Sequence, residues 1–320
     1  LIAGAPAARL VEVGELMPGE GTLTVAADVF VPSRMRSLPV ALFCLPGGAL
    51  TRQYYHLRAE GDFSFAAYMA SRGFIVVTLD PLGVGDSTRP RAGFELTPRL
   101  LAQANSLAVE ILREDLKSGR VTGQALPQLQ SIGVGHSMGA MLTILQQAEY
   151  GGHAALVLLG FSAQGLPAAL SAEESSYAAD PAGARANLVR LARLRGSDPY
   201  PEITRSAQSK ELFAGANADR RGVEALQHAR SSLLLSAGLF SMIPGSTAPE
   251  CAQIDTPLLL GVGDRDIAGP PHEIPASFPA SRDLTLLVLP ATGHCHFVFD
   301  SRHRLFERVA SWCEAILRES

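Results

Sequence analysis

The chain has 320 residues, room for one large α/β domain carrying an insertion or for two domains. Its 47% hydrophobic and 18% charged residues are those of a compact, enzyme-sized globule and exclude a mainly disordered chain. With 27 Lys and Arg against 31 Asp and Glu the formal charge is −4, so the chain lacks the phosphate-seeking field of a general nucleic-acid binder.

In chain order, Leu23–Val31 alternates and is β-branched, which predicts a strand, and Val40–Leu45 is a continuous apolar run ending in Pro46-Gly47-Gly48. Asp62 can cap a helix that Gly73 closes. Phe74–Leu79 reads as a second buried strand. Thr97-Pro98 then opens a helix with Leu100, Ala104, Leu107 and Ile111 on one face and Gly119 beyond its end. Ser131–Val134 is a short strand, followed at once by the helical pattern Met138–Tyr150. The longest apolar run, near Ala154–Gly160, falls far short of the about 18 to 20 residues a membrane span needs. Strand patterns return at Pro257–Val262 and Leu284–Leu289, and a last helix, Ser301–Arg318, puts Leu305, Val309, Cys313 and Ile316 on one side. Between them, roughly Gln164–Glu250 has no convincing strand, while Arg190–Arg195 and Val223–Leu239 look helical. Continuous apolar strands separated by amphipathic helices predict a mostly parallel sheet covered on both faces, here with a helical cap inserted between two of its strands. Residues 1–163 and 251–320 would form the core and 164–250 the cap.

Cys44, Cys251, Cys295 and Cys313 are too few and too scattered for a disulfide framework, and no Cys-x-x-Cys suggests zinc. Reduced, mostly buried thiols are the expectation. Sparse cysteines and the lack of a visible export segment favour the cytoplasm, although Leu1 in place of Met marks a trimmed chain and leaves a removed leader open.

Gly135-His136-Ser137-Met138-Gly139 fits G-x-S-x-G with a strand before it and a helix after it. The bare pattern is weak, but its setting is the one the chemistry needs. A serine on a sharp strand-to-helix turn points its hydroxyl outward, small neighbours permit the strained backbone, and a helix N-terminus faces developing negative charge.

With this motif the sequence resembles the α/β-hydrolase superfamily over most of its length apart from the cap, and three further motifs match. Leu45-Pro46-Gly47-Gly48-Ala49 stands where the family has its oxyanion loop, with Pro46 replacing the usual His. The resemblance implies an oxyanion hole from the N–H groups of Gly48 and Met138, with Ala49 as fallback for Gly48. Asp80-Pro81-Leu82-Gly83-Val84-Gly85-Asp86-Ser87 resembles a turn that is structural in the family. Gly263-Asp264-Arg265-Asp266 resembles the loop that carries the triad acid, which implies Asp266, with Asp264 as rival. Some family members carry the acid after the preceding strand, but the first acidic residues after Leu159 are Glu173 and Glu174, too far along. Thr292-Gly293-His294 looks like the triad base, with His296 as competitor. The order Ser137, Asp266, His294 is that of this superfamily, and an Asp in place of Ser137 would have implied dehalogenase or epoxide hydrolase chemistry.

The expected activity is therefore hydrolysis of a carboxylic ester or lactone of a small, largely apolar substrate through an acyl-enzyme, without metal or organic cofactor. Carbon–carbon (diketone-type), amide or thioester hydrolysis on the same triad stays open, as does a low-turnover ligand receptor. A small-molecule substrate is the one partner implied, and oligomeric state has no signature in the sequence. Tyr54, Tyr55 and His56, close after the oxyanion loop, are candidate pocket walls, and so are Leu239 and Phe240 in the apolar Leu233–Met242 stretch. Arg193, Arg195, Arg220 and Arg221 read as a solvated face, or as partners for a substrate carboxylate.

Overall fold

Val40–Leu45, Ile75–Asp80, Ala155–Leu159 and Leu258–Gly263 are buried at every position, which only a sheet covered on both faces can accommodate. The computed structural model of the chain describes residues 5–203 and 213–317. In it the strands are β1 (Ala7–Gly14), β2 (Leu23–Phe30), β3 (Val40–Leu45), β4 (Ile75–Asp80), β5 (Gln130–His136), β6 (Ala155–Leu159), β7 (Leu258–Gly263) and β8 (Leu284–Leu289). They form one sheet in the order β1-β2-β4-β3-β5-β6-β7-β8. β1–β2 and β2–β4 are antiparallel and the remaining pairs parallel. The fold is the expected one: a mostly parallel sheet flanked by helices.

Side chains of alternate sign along each strand feed two cores. Ala41, Phe43 and Leu45 of β3 pack with Ile75, Val77 and Leu79 of β4 beneath α2 (Pro98–Lys117) and α3 (Met138–Tyr150). Val40, Leu42 and Cys44 face the other way, toward α1 (Phe65–Ser71) and the last helix, Arg302–Ile316. Leu305, Val309, Cys313 and Ile316 are buried there as expected, and Arg318 lies outside the described residues. All four cysteines are buried, and none forms a disulfide among the described residues. No helix among the described residues is long and apolar enough to cross a membrane.

Four local expectations change. β1 is an additional edge strand. β2 is buried on nearly its whole length, because α1 and α2 both pack against it. Ser64, not Asp62, caps α1, its Oγ accepting from Ala67 N–H at 2.9 Å; Asp62 sits exposed two residues earlier with positive φ. In α2, opened by Thr97 as expected, Ala104 is buried but Leu107 and Ile111 are 37% and 39% exposed. The buried stripe instead runs through Leu101, Asn105, Ala108, Leu112 and Leu116, rotated by about one residue.

Between β6 and β7 the described residues form α4 (Ala172–Ser175), α5 (Pro181–Arg195), α6 (Arg220–His228), α7 (Leu235–Met242) and α8 (Ala248–Cys251), with α9 (Arg302–Ile316) closing the chain. The stretch Val223–Leu239 is two helices, not one. Its middle runs alongside the loop after β3, with Leu50 paired to Arg230, Thr51 N–H donating to Ala229 C=O at 2.8 Å and Ser231 N–H to Ala49 C=O at 3.0 Å. Ala184, Leu188 and Phe240 of this segment join the α2–α3 core, and Ala225 and Leu226 join the other.

Candidate active site

The loops after β3, β5, β7 and β8 converge at the carboxyl end of the sheet. β3 and β5 are neighbours whose connections leave in opposite directions, so a crevice opens between their ends. Ser137 sits there between β5 and α3 with φ 55° and ψ −120°, a strained conformation for a residue with a Cβ. Two glycines make that turn possible. A Cβ on Gly139 would strike the Leu45 and Pro46 carbonyls, and one on Gly135 the backbone of Ala140.

His294 Nε2 lies 2.8 Å from Ser137 Oγ, and its Nδ1 lies 2.7 Å from Asp266 Oδ1. With Nδ1–H donating to the carboxylate, Nε2 is left as the acceptor for the serine hydroxyl. The structure thus brings together all three residues singled out by motif. Burial opposes charge on Asp266, yet the His294 and His296 imidazoles outweigh it and hold the carboxyl well below the usual carboxylate range. Asp264 does different work: its carboxylate accepts from the Ala291 and Thr292 N–H groups at 2.9 and 3.1 Å, tying the β7 loop to the β8 loop. His296 does not reach Ser137; its Nε2 is 2.6 Å from Asp266 Oδ2.

The Pro46-Gly47-Gly48 loop folds directly over the serine. A Cβ on Gly47 would lie 3.2 Å from Ser137 Cβ, and one on Gly48 3.7 Å from Met138 Sδ. Among the described residues, neither Gly48 N–H nor Met138 N–H donates to a protein acceptor. His136, the variable residue of the motif, donates from Nε2–H to the His294 carbonyl at 2.9 Å and fixes the β8 loop from below. Burial pushes its imidazole well below the ordinary value. Two features had no signal in the residue pattern beyond a glycine and an aromatic. Gly160, at φ 57°, leaves only 3.1 Å between an added Cβ and the His294 ring, and Phe213 stands edge-on to that ring at 5.0 Å.

The cleft beside Ser137 is lined by Met138, Phe161, Ser162, Leu166, Ser241 and Ile267 among others, and encloses ≈ 30 Å³. The candidate walls lie elsewhere. Tyr54 and Tyr55 are fully buried behind the site, Tyr54 stacked on Phe297 at 4.5 Å and Tyr55 donating to Leu45 C=O at 2.9 Å. His56 bonds Ser64 Oγ at 2.7 Å and borders a separate surface hollow. Leu239 and Phe240 are buried in the α2–α3 core, because α7 turns Ser241 toward the cleft instead. Phe240 also borders a larger hollow of ≈ 570 Å³ that contains none of the three site residues. The four arginines pair with Glu95, Glu174, Glu224 and Asp219. The Asp80 turn is structural: Asp80 accepts from Arg52 N–H at 2.6 Å and binds its guanidinium, while Ser87 Oγ donates to Asp80 C=O at 2.6 Å.

A family model described as "Alpha/beta hydrolase family" matches residues 42–309. No curated protein matches the chain. Among solved structures, a carboxyl esterase from Bacillus coagulans is 17% identical with a TM-score of 0.68, covering 97% of this chain and 99% of that one. A thermophilic esterase from Thermogutta terrifontis is 15% identical (TM-score 0.63; 96% and 99% covered). A proline iminopeptidase from Mycobacterium smegmatis is 18% identical (TM-score 0.63; 98% and 100% covered). At these identities the likeness is one of fold.

Proposed function

The chain belongs to the alpha/beta hydrolase family, and on that premise we propose that it is a serine hydrolase cleaving a carboxylic ester or lactone of a small, largely apolar substrate. The observation that carries this reading is the unbroken chain Ser137 Oγ, His294, Asp266, with links of 2.8 and 2.7 Å, set beside the Gly48 and Met138 N–H groups, which donate to no protein acceptor among the described residues. In this mechanism Ser137 Oγ attacks the acyl carbonyl while His294 Nε2 takes its proton. Asp266 fixes the imidazole tautomer and steadies the imidazolium. The N–H groups of Gly48 and Met138 point donors at the tetrahedral oxyanion, a type of interaction whose loss costs about 2.7 to 4 kcal/mol of barrier in acyl-transfer enzymes. His294 then returns the proton to the leaving alkoxide, and water resolves the acyl-enzyme by the reverse sequence.

The cleft walls favour an uncharged substrate. Apart from His294, the side chains that line it are apolar or hydroxyl-bearing. An aminopeptidase-like reading is disfavoured, since a substrate ammonium group would meet no carboxylate among the described residues of these walls. We read residues 164–250 as a cap: its Leu166 and Ser241, beside Ser162 of the core, cover Ser137 and leave space for about one water, so an acyl group enters only when Leu166 and Ser241 move.

The test is labelling by a fluorophosphonate together with turnover of short p-nitrophenyl esters. Labelling abolished in Ser137→Ala, and turnover abolished in both Ser137→Ala and His294→Ala, support the reading. Labelling that persists in Ser137→Ala overturns it.

A further inference from the structure

Asp266 is held by two imidazoles, one on each carboxylate oxygen. Oδ1 accepts from His294 Nδ1–H at 2.7 Å and from Ala268 N–H at 3.0 Å; Oδ2 faces His296 Nε2 at 2.6 Å. The side chains of Asp266 and His296 have no solvent exposure. A single tight turn delivers both rings, because His296 N–H donates back to His294 C=O at 3.0 Å, and the spacing His294-Cys295-His296 sends the two side chains to opposite oxygens of the same group. His296 Nε2 faces a carboxylate oxygen and Nδ1 is buried with no hydrogen-bond partner among the described residues, so Nε2 carries the proton and donates it to Oδ2. The other titratable groups packed around the cluster are His136, with ring centroids 5.7 Å from His296 and 4.8 Å from His294, and the buried Tyr54 and Cys295. No Arg or Lys among the described residues pairs with Asp266.

We propose that His296 is a positioning residue for the reaction: its Nε2–H holds Asp266 Oδ2 so that Oδ1 stays aimed at His294. This rests on the serine-hydrolase reading above. Without this donor, Oδ2 would be a buried anionic oxygen with nothing to pair with, and the carboxylate would turn to share its better-placed oxygen. The donor also draws charge from Oδ2 and so tempers how tightly the Asp266–His294 pair retains a proton. Its loss therefore moves the acid limb of the pH–rate profile to higher pH, an effect that a residue filling space alone would not produce.

The experiment measures the rate of fluorophosphonate labelling at Ser137 across the acid range for wild type, His296→Leu and His296→Gln, with proton NMR of the downfield imidazole N–H signals. The expected result is a limb shifted upward by at least about half a pH unit in His296→Leu, with labelling slowed about 10- to 100-fold at neutral pH. In His296→Gln, whose amide can donate to the same oxygen, the limb and most of the rate return. A limb unmoved in His296→Leu, or a Gln variant no better than Leu, overturns the proposal. Should the Leu variant not fold, the Gln variant decides: labelling retained with one of two downfield protons lost supports it, and both protons kept overturns it. Wild-type protein that is not labelled at Ser137 overturns the serine-hydrolase reading instead.

Discussion

Asp264 spends its carboxylate on the amides of Ala291 and Thr292, whereas Asp266 spends its own on two imidazoles. Replacing Asp266 by Asn should cut kcat/KM by on the order of 10⁴, because the tautomer of His294 is no longer held. Asp264→Asn keeps one acceptor oxygen for the turn and should cost about 1 to 2 kcal/mol of stability with less than about a tenfold change in kcat/KM. Steady-state kinetics and thermal melting on the two variants separate these outcomes, and equal losses of activity would contradict them. Both aspartates occupy one short loop, and both His294 and His296 reach the same carboxylate, so residue type and spacing alone bring each pair to the right place, and it is the family resemblance that favours Asp266 and His294. In the structure, direction separates the histidines: of the two, only His294 also reaches Ser137. The same limit explains Tyr54 and Tyr55, which adjoin the Pro46-Gly47-Gly48 loop in sequence but turn their rings behind it, onto Phe297 and the Leu45 carbonyl.

At the scale of elements, α2 offers a direct comparison of two leucines of one type on one helix. Leu101 is fully buried and Leu107 is partly exposed. Leu101→Ala should destabilise by about 2 to 5 kcal/mol through lost transfer energy and a cavity. Leu107→Ala should stay within about 0.5 kcal/mol of wild type. Urea denaturation midpoints test both values, and a similar loss at the two positions would argue against the rotated face. Period alone could not choose between the two stripes, since small residues such as Ala108 can line a buried face while larger ones reach outward. The interior strands β3, β4 and β7 were legible because an unbroken apolar run has few other uses. β1 was not, because Ala8, Leu10 and Glu12 turn toward solvent on an edge and dilute its signal. The divided helix at Val223–Leu239 was illegible for another reason: the break is set by pairing with Ala49–Thr51, a partner more than 170 residues away in the chain.

For the molecule as a whole, buried histidines should set its sensitivity to acid. Burial pushes His153, bonded to Ser131 Oγ and Gln146, down to about 3, and lowers His136 as well. Their folded-state values lie below the unfolded one, so the unfolded chain binds more protons in the interval between. The stability they contribute is complete above about pH 6.5 and falls as pH drops, for His153 until about pH 3, by up to about 1.4 kcal/mol per pH unit for each group. Asp266, also depressed, adds to the loss at the lower end of this range. Calorimetric melting from neutral to mildly acidic pH should show this decline, and His153→Gln should flatten it; an unchanged slope would remove His153 from the account. The segment between β6 and β7 has a consequence of its own. It grips the loop bearing Gly48 through Ala229 and Ser231, and the loop bearing His294 through Phe213 and Asp219, whose backbones bond Cys295 and Val298. If this segment is the cap proposed above, admission of a ligand and integrity of the machinery would be one equilibrium, because a swing wide enough to uncover Ser137 would tug on both loops at once. For a good leaving group, the breathing of that segment would then cap the number of cycles per second, and solvent viscosity would govern the rate more than the chemistry of the departing alcohol.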